Sequence, residues 1–355
     1  MSKAVQTAVV GVTGYAGAEL ARLLVRHPRL KGATPVFAGR VDDRDHARGG
    51  IPLGEIHPQL IDSHETGSVR VQPFSWQLLE DLGVEVVFLA TPHELSREAV
   101  PEARKRGFRV IDLSGAWRLE EASNRAVYGF EDEGSATALH TQSEAVYGMP
   151  ELHRSELRGA GLVANPGCYA TSVILALKPL LAAGLVDLRC GIVCDSKSGV
   201  SGAGKAPTAK THFMYAADNL SAYGVFTHRH TGELLEQLGV EAETLTFTPH
   251  LLPIPRGILS TIYVRFLKPQ TSAAVEKCFK DFYQDSPMVR LFGTTLPQIQ
   301  YSVRTCYSDI GFNLAKDGRR AVIVSCLDNL LKGAAGQAVQ NLNVMQGWGE
   351  AEGLE

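Results

Sequence analysis

Apolar and polar residues alternate along this chain in two different rhythms. The first apolar run, Ala8–Val12, leads into a turn holding Gly11, Gly14 and Gly17. The segment YAGAELARLLVRHP follows, with Leu20, Leu23, Leu24 and His27 at helical spacing and Pro28 at its end, so the pattern predicts strand, glycine turn, helix. Further short apolar runs at Thr34–Arg40, Val84–Pro92 and Arg109–Gly115 are separated by polar, helix-compatible stretches, which predicts a parallel sheet wound on both faces.

Beyond Cys168 the rhythm changes. Gly191–Gly199, Glu243–Pro255, Gly257–Phe266 and Arg319–Leu327 read as strands with few helices between them, and predict a mixed, largely antiparallel sheet. The last periodic segment, Asn329–Gly347, places Leu331, Ala335, Ala338, Leu342 and Met345 on one helical face and is expected to pack back on the first domain. The expected fold is therefore α/β: a Rossmann-type doubly wound domain plus an α+β domain with a mixed, largely antiparallel sheet. The boundaries are read as 1–166 with 328–355 for the first and 167–327 for the second, since 355 residues suit two cores better than one.

Composition narrows the function by exclusion. A net charge of −3 offers no basic excess for nucleic acid, and runs such as Val84–Ala90 are far shorter than the roughly 20 apolar residues of a membrane helix. The N-terminal residues lack a signal-peptide layout, so a cytoplasmic protein is expected. Six cysteines without a Cys-x-x-Cys pair and dispersed histidines without His-Glu-x-x-His spacing predict free thiols and no metal.

Gly11, Gly14 and Gly17 form a Gly-x-x-Gly-x-x-Gly variant of the dinucleotide fingerprint, in which backbone amides at a helix N-terminus receive pyrophosphate. Arg40, at the end of the second predicted strand, stands about where such folds place an acidic residue for the ribose, and an arginine there suits the 2′-phosphate of NADP. Cys168 falls at the start of a predicted helix, in VANPGCYAT, with Ile174, Leu177 and Leu181 at helical spacing and Pro179 ending or kinking the element. A thiol so placed is either a small core residue or a nucleophile favoured by the helix dipole, with the same amides able to hold an oxyanion. His228 and His230, in THRHTGEL, are candidate acid–base partners. A second glycine loop, Ser198–Lys205, reads as an anion nest or a flexible turn, while Lys197, Lys205, Arg118 and Arg256 are either solvated charges or partners of an anionic substrate. A dinucleotide beside an activated thiol fits acyl-phosphate or aldehyde chemistry: the cysteine holds an acyl group as a thioester and a hydride reduces it.

Several blocks in order, GVTGYAGAEL, DLSGAWRL, YGMPEL, NPGCYAT, SGVSGAG, HRHTGEL, PHLLPIPRGIL and DNLLKGAAGQAVQNLN, resemble the N-acetyl-γ-glutamyl-phosphate reductase family, within the aspartate-semialdehyde dehydrogenase-like superfamily. The resemblance spans nearly the whole chain. It implies that Cys168 accepts the acyl group and that the His228–His230 pair carries the proton, with His228 favoured. It implies NADPH as cofactor, bordered by Asn329, a small acyl-phosphate substrate, and a homodimer or homotetramer. Thr13, Tyr15, Ala16, Pro92, Ser198, Gly199, Ser201 and Gly202 join the glycines and Arg40 as cofactor candidates; Ser114, Arg118, Glu151, Asn165, Tyr169, Lys197 and Arg256 are the substrate candidates. Two positions depart from the family pattern: Gly115-Ala116-Trp117 follows Ser114 where an Ala-Asp pair usually precedes the aromatic, and Gly232 stands in place of a proline. The competing readings are another acyl-phosphate reductase, of the aspartate-semialdehyde or aminoadipyl-phosphate type, a cysteine acyltransferase or hydrolase on a vestigial nucleotide fold, and a nucleotide sensor without catalysis.

Overall fold

A computed structural model describes residues 4–40, 45, 49–61 and 66–355, which divide into two compact units. The first comprises residues 1–118, 130–165 and 334–355, the second 119–129 and 166–333.

In the first unit, β1 (Thr7–Val10), β2 (Val36–Gly39), β3 (Ile51–Pro52), β4 (Arg70–Pro73), β5 (Val86–Leu89), β6 (Arg109–Asp112), β7 (Ala145–Tyr147) and β8 (Leu162–Ala164) form one sheet in the order β3-β4-β2-β1-β5-β6-β8-β7. All neighbours are parallel except β3 and β4. Every residue of β1 and β5 is buried, because helices cover both faces and a doubly covered strand keeps no polar side. Helix α1 (Tyr15–Arg26) turns Leu20, Ala21 and Leu24 inward, as the spacing predicts. Helices α2 (His93–Lys105) and α3 (Pro150–Leu157) follow β5 and β7.

The C-terminal helix also belongs to this unit, where it packs on α1 and α3. The predicted apolar stripe understates its burial: all ten residues, Gly336–Met345, are inside. The NH2 groups of its side-chain amides find distant partners. Gln337 and Asn341 both donate to the Gly148 carbonyl, at 3.0 and 2.9 Å, and Asn343 donates to the Glu352 carbonyl at 2.9 Å. The same Asn343 meets buried His27 at 3.0 Å.

In the second unit, β9 (Ile192–Gly199), β10 (Ser221–Ala222), β11 (Leu245–Leu252), β12 (Ile258–Arg265), β13 (Val289–Gly293), β14 (Ser308–Leu314) and β15 (Arg320–Leu327) form a mixed sheet in the order β10-β11-β9-β12-β15-β14-β13. Four of its six pairings are antiparallel. Helix α4 (Cys168–Ala182) lies on this sheet, followed in sequence by α5 (His230–Leu238) and α6 (Ser272–Phe282). Serines make the close fit of α4 possible: Ser172 Oγ lies in hydrogen-bond reach of the Ser260 and Ser325 hydroxyls, at 2.9 and 3.1 Å, and Ser196 Oγ of Ser260 at 2.8 Å, all buried. The helix runs through Pro179 to Ala182, so this proline neither ends nor breaks the element.

Two boundaries differ from the sequence expectation. Residues 119–129 join the second unit because the Glu236 carboxylate of α5 accepts from the backbone amides of Glu120 and Glu121 and from the Asn124 side chain, at 2.8–3.1 Å. The return to the first unit comes at Ala334, not at 328. Asp328 accepts from the Leu330 and Leu331 amides, and residues Leu331–Ala335 form a π turn ahead of the final α-helix.

Candidate active site

Two helix N-termini carry the candidate chemistry, one in each unit. In the first unit, Gly11 has φ +89°, and a Cβ there would stand 2.4 Å from the Ala90 carbonyl; a Cβ on Gly17 would stand 2.5 Å from the Gly11 carbonyl. These contacts press the turn after β1 against the loop after β5 and allow only glycine. Gly14 caps α1 in extended conformation with no side-chain cap, and the first turn carries no acidic residue. A Cβ on Gly14 would meet only the Gly11 carbonyl oxygen, in ordinary contact at 3.7 Å, so no neighbouring side chain fills the cap position. Such a cradle fits a dinucleotide pyrophosphate. Thr13 lies in the turn, while Tyr15 and Ala16 open the helix. Arg40 is exposed just beyond β2, and Pro92 caps α2 after β5; the strand order reverses around β1, between these two neighbours.

The substrate candidates of this unit are all engaged internally. Ser114 donates through Oγ and its amide to buried Asp112, whose carboxyl is pushed up by burial. Buried Arg118 donates to the Asn165 and Leu113 carbonyls at 2.7 and 2.8 Å. Asn165 donates to the Ala334 carbonyl and accepts from Asn341, and Glu151 accepts from Gln340. At the departure Gly115-Ala116-Trp117, Trp117 is buried beneath the Arg97 guanidinium, 4.1 Å from its ring centroid.

In the second unit, Cys168 is the first residue of α4, and Gly167 caps the helix in extended conformation without a side-chain cap. The surroundings of the thiol are close. A Cβ on Gly167 would lie 2.3 Å from Nε2 of His230, so the absence of a side chain there makes room for the imidazole. On another side, a Cβ on Gly333, in the π turn, would lie 2.6 Å from Cβ of Cys168. The two histidines occupy different surroundings. His228 accepts the His230 amide on Nδ1 at 3.1 Å, capping the start of α5, and is ringed edge-on by Tyr169, Tyr223 and Phe247 at centroid distances of 5.5–5.6 Å. Burial, and then the neighbouring His230 ring 4.7 Å away, push its pKa down to about 3. His228 is thus neutral, with Nδ1 used as an acceptor. Tyr169 donates to the His250 carbonyl at 2.7 Å, and burial drives the Tyr169 and Tyr223 hydroxyls upward, the latter to about 12.

Lys197 is paired with Asp195, which also faces His250 at 3.2 Å, and Arg256 reaches Asp328 at 3.4 Å. Ser198, Gly199, Ser201 and Gly202 gather at the end of β9. Asn329 ties this loop to β12 by donating to Ser201 Oγ at 2.9 Å and accepting the Gly257 amide at 2.8 Å. Of the other cysteines, Cys194 and Cys326 are buried thiols whose pKa burial raises, as it does for Cys278. Sequence reasoning missed Glu233, fully buried, whose Oε2 accepts the Gly167 amide at 2.9 Å. Its position three residues after His230, one helical turn on, was the available signal. At the other departure, a Cβ on Gly232 would stand 3.0 Å from that of Asn124, so α5 meets the 119–129 segment closely there. No cluster of metal-binding side chains and no helix long and apolar enough to cross a membrane occurs among the described residues.

Comparisons with known proteins agree with this division. The family model described as semialdehyde dehydrogenase, NAD binding domain, matches residues 6–160, and the one described as semialdehyde dehydrogenase, dimerisation domain, matches residues 168–329. Among solved structures, aspartate semialdehyde dehydrogenase II of Vibrio cholerae superposes with a TM-score of 0.69 at 20% identity, covering 97% of this chain and 98% of that one. The aspartate semialdehyde dehydrogenase of Candida albicans, solved with NADP, gives 0.67 at 16% identity, covering 96% and 98%. These establish the shared fold. Closer in sequence are the N-acetyl-gamma-glutamyl-phosphate reductases of Methanococcus maripaludis, 40% identical over 98% of this chain and 96% of that protein, and of Pelotomaculum thermopropionicum, 41% identical over 99% and 98%. The chain belongs to the N-acetyl-γ-glutamyl-phosphate reductase family.

Proposed function

We propose that this chain performs the reaction for which its family is named, the NADPH-dependent reduction of N-acetyl-γ-glutamyl phosphate to the semialdehyde with release of phosphate, and that Cys168 carries the acyl group. The observation that bears most weight is the start of α4, where Cys168 follows a glycine whose missing side chain admits the His230 imidazole. His230 accepts the thiol proton, and the positive end of α4 favours the resulting thiolate. The thiolate attacks the acyl carbon; the C–S bond forms, the C–O bond to phosphate breaks, and phosphate leaves with the electron pair. Amides of the first turn of α4, which have no partner within the helix, stabilise the oxygen that carries the negative charge. The glycine turn and Arg40 would hold the pyrophosphate and 2′-phosphate of a reduced dinucleotide, which when bound would supply the hydride that the thioester carbon accepts. Collapse of the tetrahedral hemithioacetal anion re-forms the carbonyl and breaks the C–S bond, and the proton on His230 returns to sulfur.

His230 is preferred here over His228, reversing the expectation from sequence. His228 spends Nδ1 on the α5 cap and stays neutral down to acid pH, whereas His230 lies against the residue preceding the thiol. In this reading His228 holds the helix that carries His230. Lys197, Arg256, Arg118, Ser114, Glu151, Asn165 and Tyr169 remain candidates for substrate recognition, with Ser198, Gly199, Ser201, Gly202 and Asn329 for the cofactor beside the glycine turn. We further propose a homodimer or homotetramer acting in the cytoplasm, in keeping with the match to a dimerisation domain.

The deciding experiment is the reverse assay with NADP and phosphate, run on N-acetylglutamate semialdehyde beside aspartate semialdehyde. The acetylated substrate is expected to be strongly preferred; equal or greater activity on aspartate semialdehyde would overturn the substrate assignment.

A further inference from the structure

His57 takes no part in the reaction just described, yet its ring is buried against the turn that follows β1. It comes from the stretch between β2 and β4, where the short helix Leu53–Ile56 is followed by the single turn Pro58–Leu60. The backbone leaves the residue little freedom. Its amide donates to the Leu53 carbonyl at 2.8 Å and its carbonyl accepts the Leu60 amide at 2.9 Å, while the following proline keeps it out of the helical region, at φ −134° and ψ 78°. Leu53 and Leu60 are buried, and Thr66–Ser68 packs on α1, so the stretch is anchored on the helix that the glycine turn begins.

From this anchor, Nε2 of His57 reaches the Val12 carbonyl at 3.1 Å, across 45 positions of sequence. A carbonyl oxygen only accepts, so the ring carries a proton on Nε2. Val12 is fully buried, with its α-carbon 2.6 Å from where a Cβ on Gly17 would stand, and a carbonyl at such a place is costly to leave without a donor. The Val12–Thr13 peptide is trans, so its N–H points opposite to its C=O, away from His57. On either side of it the turn is fixed by its own backbone: the Gly11 amide donates to the Ala38 carbonyl at 3.0 Å and the Gly14 amide to the Gly11 carbonyl at 3.2 Å. A hydrogen bond to a peptide oxygen also polarises the N–H of the same peptide and makes it a better donor.

We propose that His57 is a positioning residue for the cofactor: by holding the Val12 carbonyl it fixes the Val12–Thr13 peptide with its N–H, and not its oxygen, on the side that receives the pyrophosphate. This rests on the reading of the glycine turn as the dinucleotide site.

The test is calorimetric titration of the full chain with NADP and, separately, with adenosine 2′-monophosphate, which carries the 2′-phosphate and no pyrophosphate. His57→Phe keeps a buried ring and removes the donor; its Kd for NADP is expected to rise about tenfold. Its Kd for adenosine 2′-monophosphate is expected to match that of the native protein. His57→Gln, whose side-chain amide can donate from nearly the same place, is expected to bind NADP more nearly as the native protein does than as His57→Phe does. Equal weakening of both ligands in His57→Phe, undiminished NADP binding, or a glutamine variant as weak as the phenylalanine one overturns the proposal. If His57→Phe does not fold, nitrogen-15 NMR of the native protein carries the test. The ring is expected in the Nε2–H tautomer at neutral pH, and the Thr13 amide among those that NADP shifts; an Nδ1–H tautomer or an unmoved Thr13 amide overturns it. Gly14→Asp separates the two readings. If it weakens NADP binding and His57→Phe does not, only the role of His57 falls; if neither weakens it, the reading of the turn falls too.

Discussion

The helices α1 and α4 begin in the same way and are used differently. Each is capped by a glycine in extended conformation, Gly14 with φ −83° and ψ 170°, Gly167 with φ −74° and ψ 145°, and neither cap donates or accepts through a side chain. Both therefore present first-turn amides that have no partner within the helix, and the positive end of a helix. At α1 a side chain at the cap would touch only the Gly11 carbonyl oxygen, at 3.7 Å, and no other side chain fills its place, which leaves the helix end for an anion brought by a ligand. At α4 it is filled by the His230 ring, with Gly333 pressed on the cysteine and Glu233 on the preceding amide, so the anion favoured there is one the protein makes itself. The local backbone device is common to both; the packing around it decides whether it binds charge or generates it.

The sharpest way to separate the two ends is to disable one at a time. Cys168→Ser should reduce turnover at least about a thousandfold, since serine lacks the acidity of the thiol, while NADP binding measured by calorimetry stays unchanged. Retained turnover would show that the α4 end does not generate the nucleophile. Gly14→Asp acts on the other end. Its Cβ has room, and aspartate is a good helix cap, so thermal stability should hold or rise by a few tenths of a kcal/mol. The KM for NADP should nevertheless rise roughly tenfold or more, because a carboxylate then occupies the anion's place. Iodoacetamide labelling of Cys168 should continue at the wild-type rate. The smallest effect concerns His228. Its folded pKa of about 3 lies below the ordinary 6.5, so between those values the unfolded chain binds a proton that the folded chain does not. Stability is then lost as pH falls from 6.5 toward 3. Urea midpoints taken at pH 7.5 and 5 should fall for the native protein and fall less for His228→Gln; equal slopes would mean that the ring is not held neutral.

Much of this was legible in the sequence, for identifiable reasons. Period-2 and apolar-run signals located β9, β12 and β15 within a residue or two, because strands paired on both sides have few alternatives. Cys168 and the histidine pair were visible as residue types, and the glycine turn as spacing. What escaped depended on tertiary contacts. The division of labour between His228 and His230 follows from an aromatic enclosure assembled from Tyr169, Tyr223 and Phe247, which are far apart in the chain. The capture of residues 119–129 depends on Glu236, more than a hundred positions away. The complete burial of Gln337, Gln340, Asn341 and Asn343 runs against their polarity and becomes intelligible only through partners such as Gly148 and Glu352.

That buried C-terminal helix bears on how the protein comes into being at the ribosome. Seven of the eight strands of the first sheet lie upstream of residue 150 and all of them upstream of Asn165, yet the unit is incomplete without residues 334–355, on which buried His27 and the Gly148 carbonyl depend. The second unit, begun later, has all of its residues by Gly333 and is free to close first. Order of synthesis and order of completion are therefore inverted: the half of the molecule built for the cofactor waits, with its opening residues already made, for the last stretch of chain to emerge.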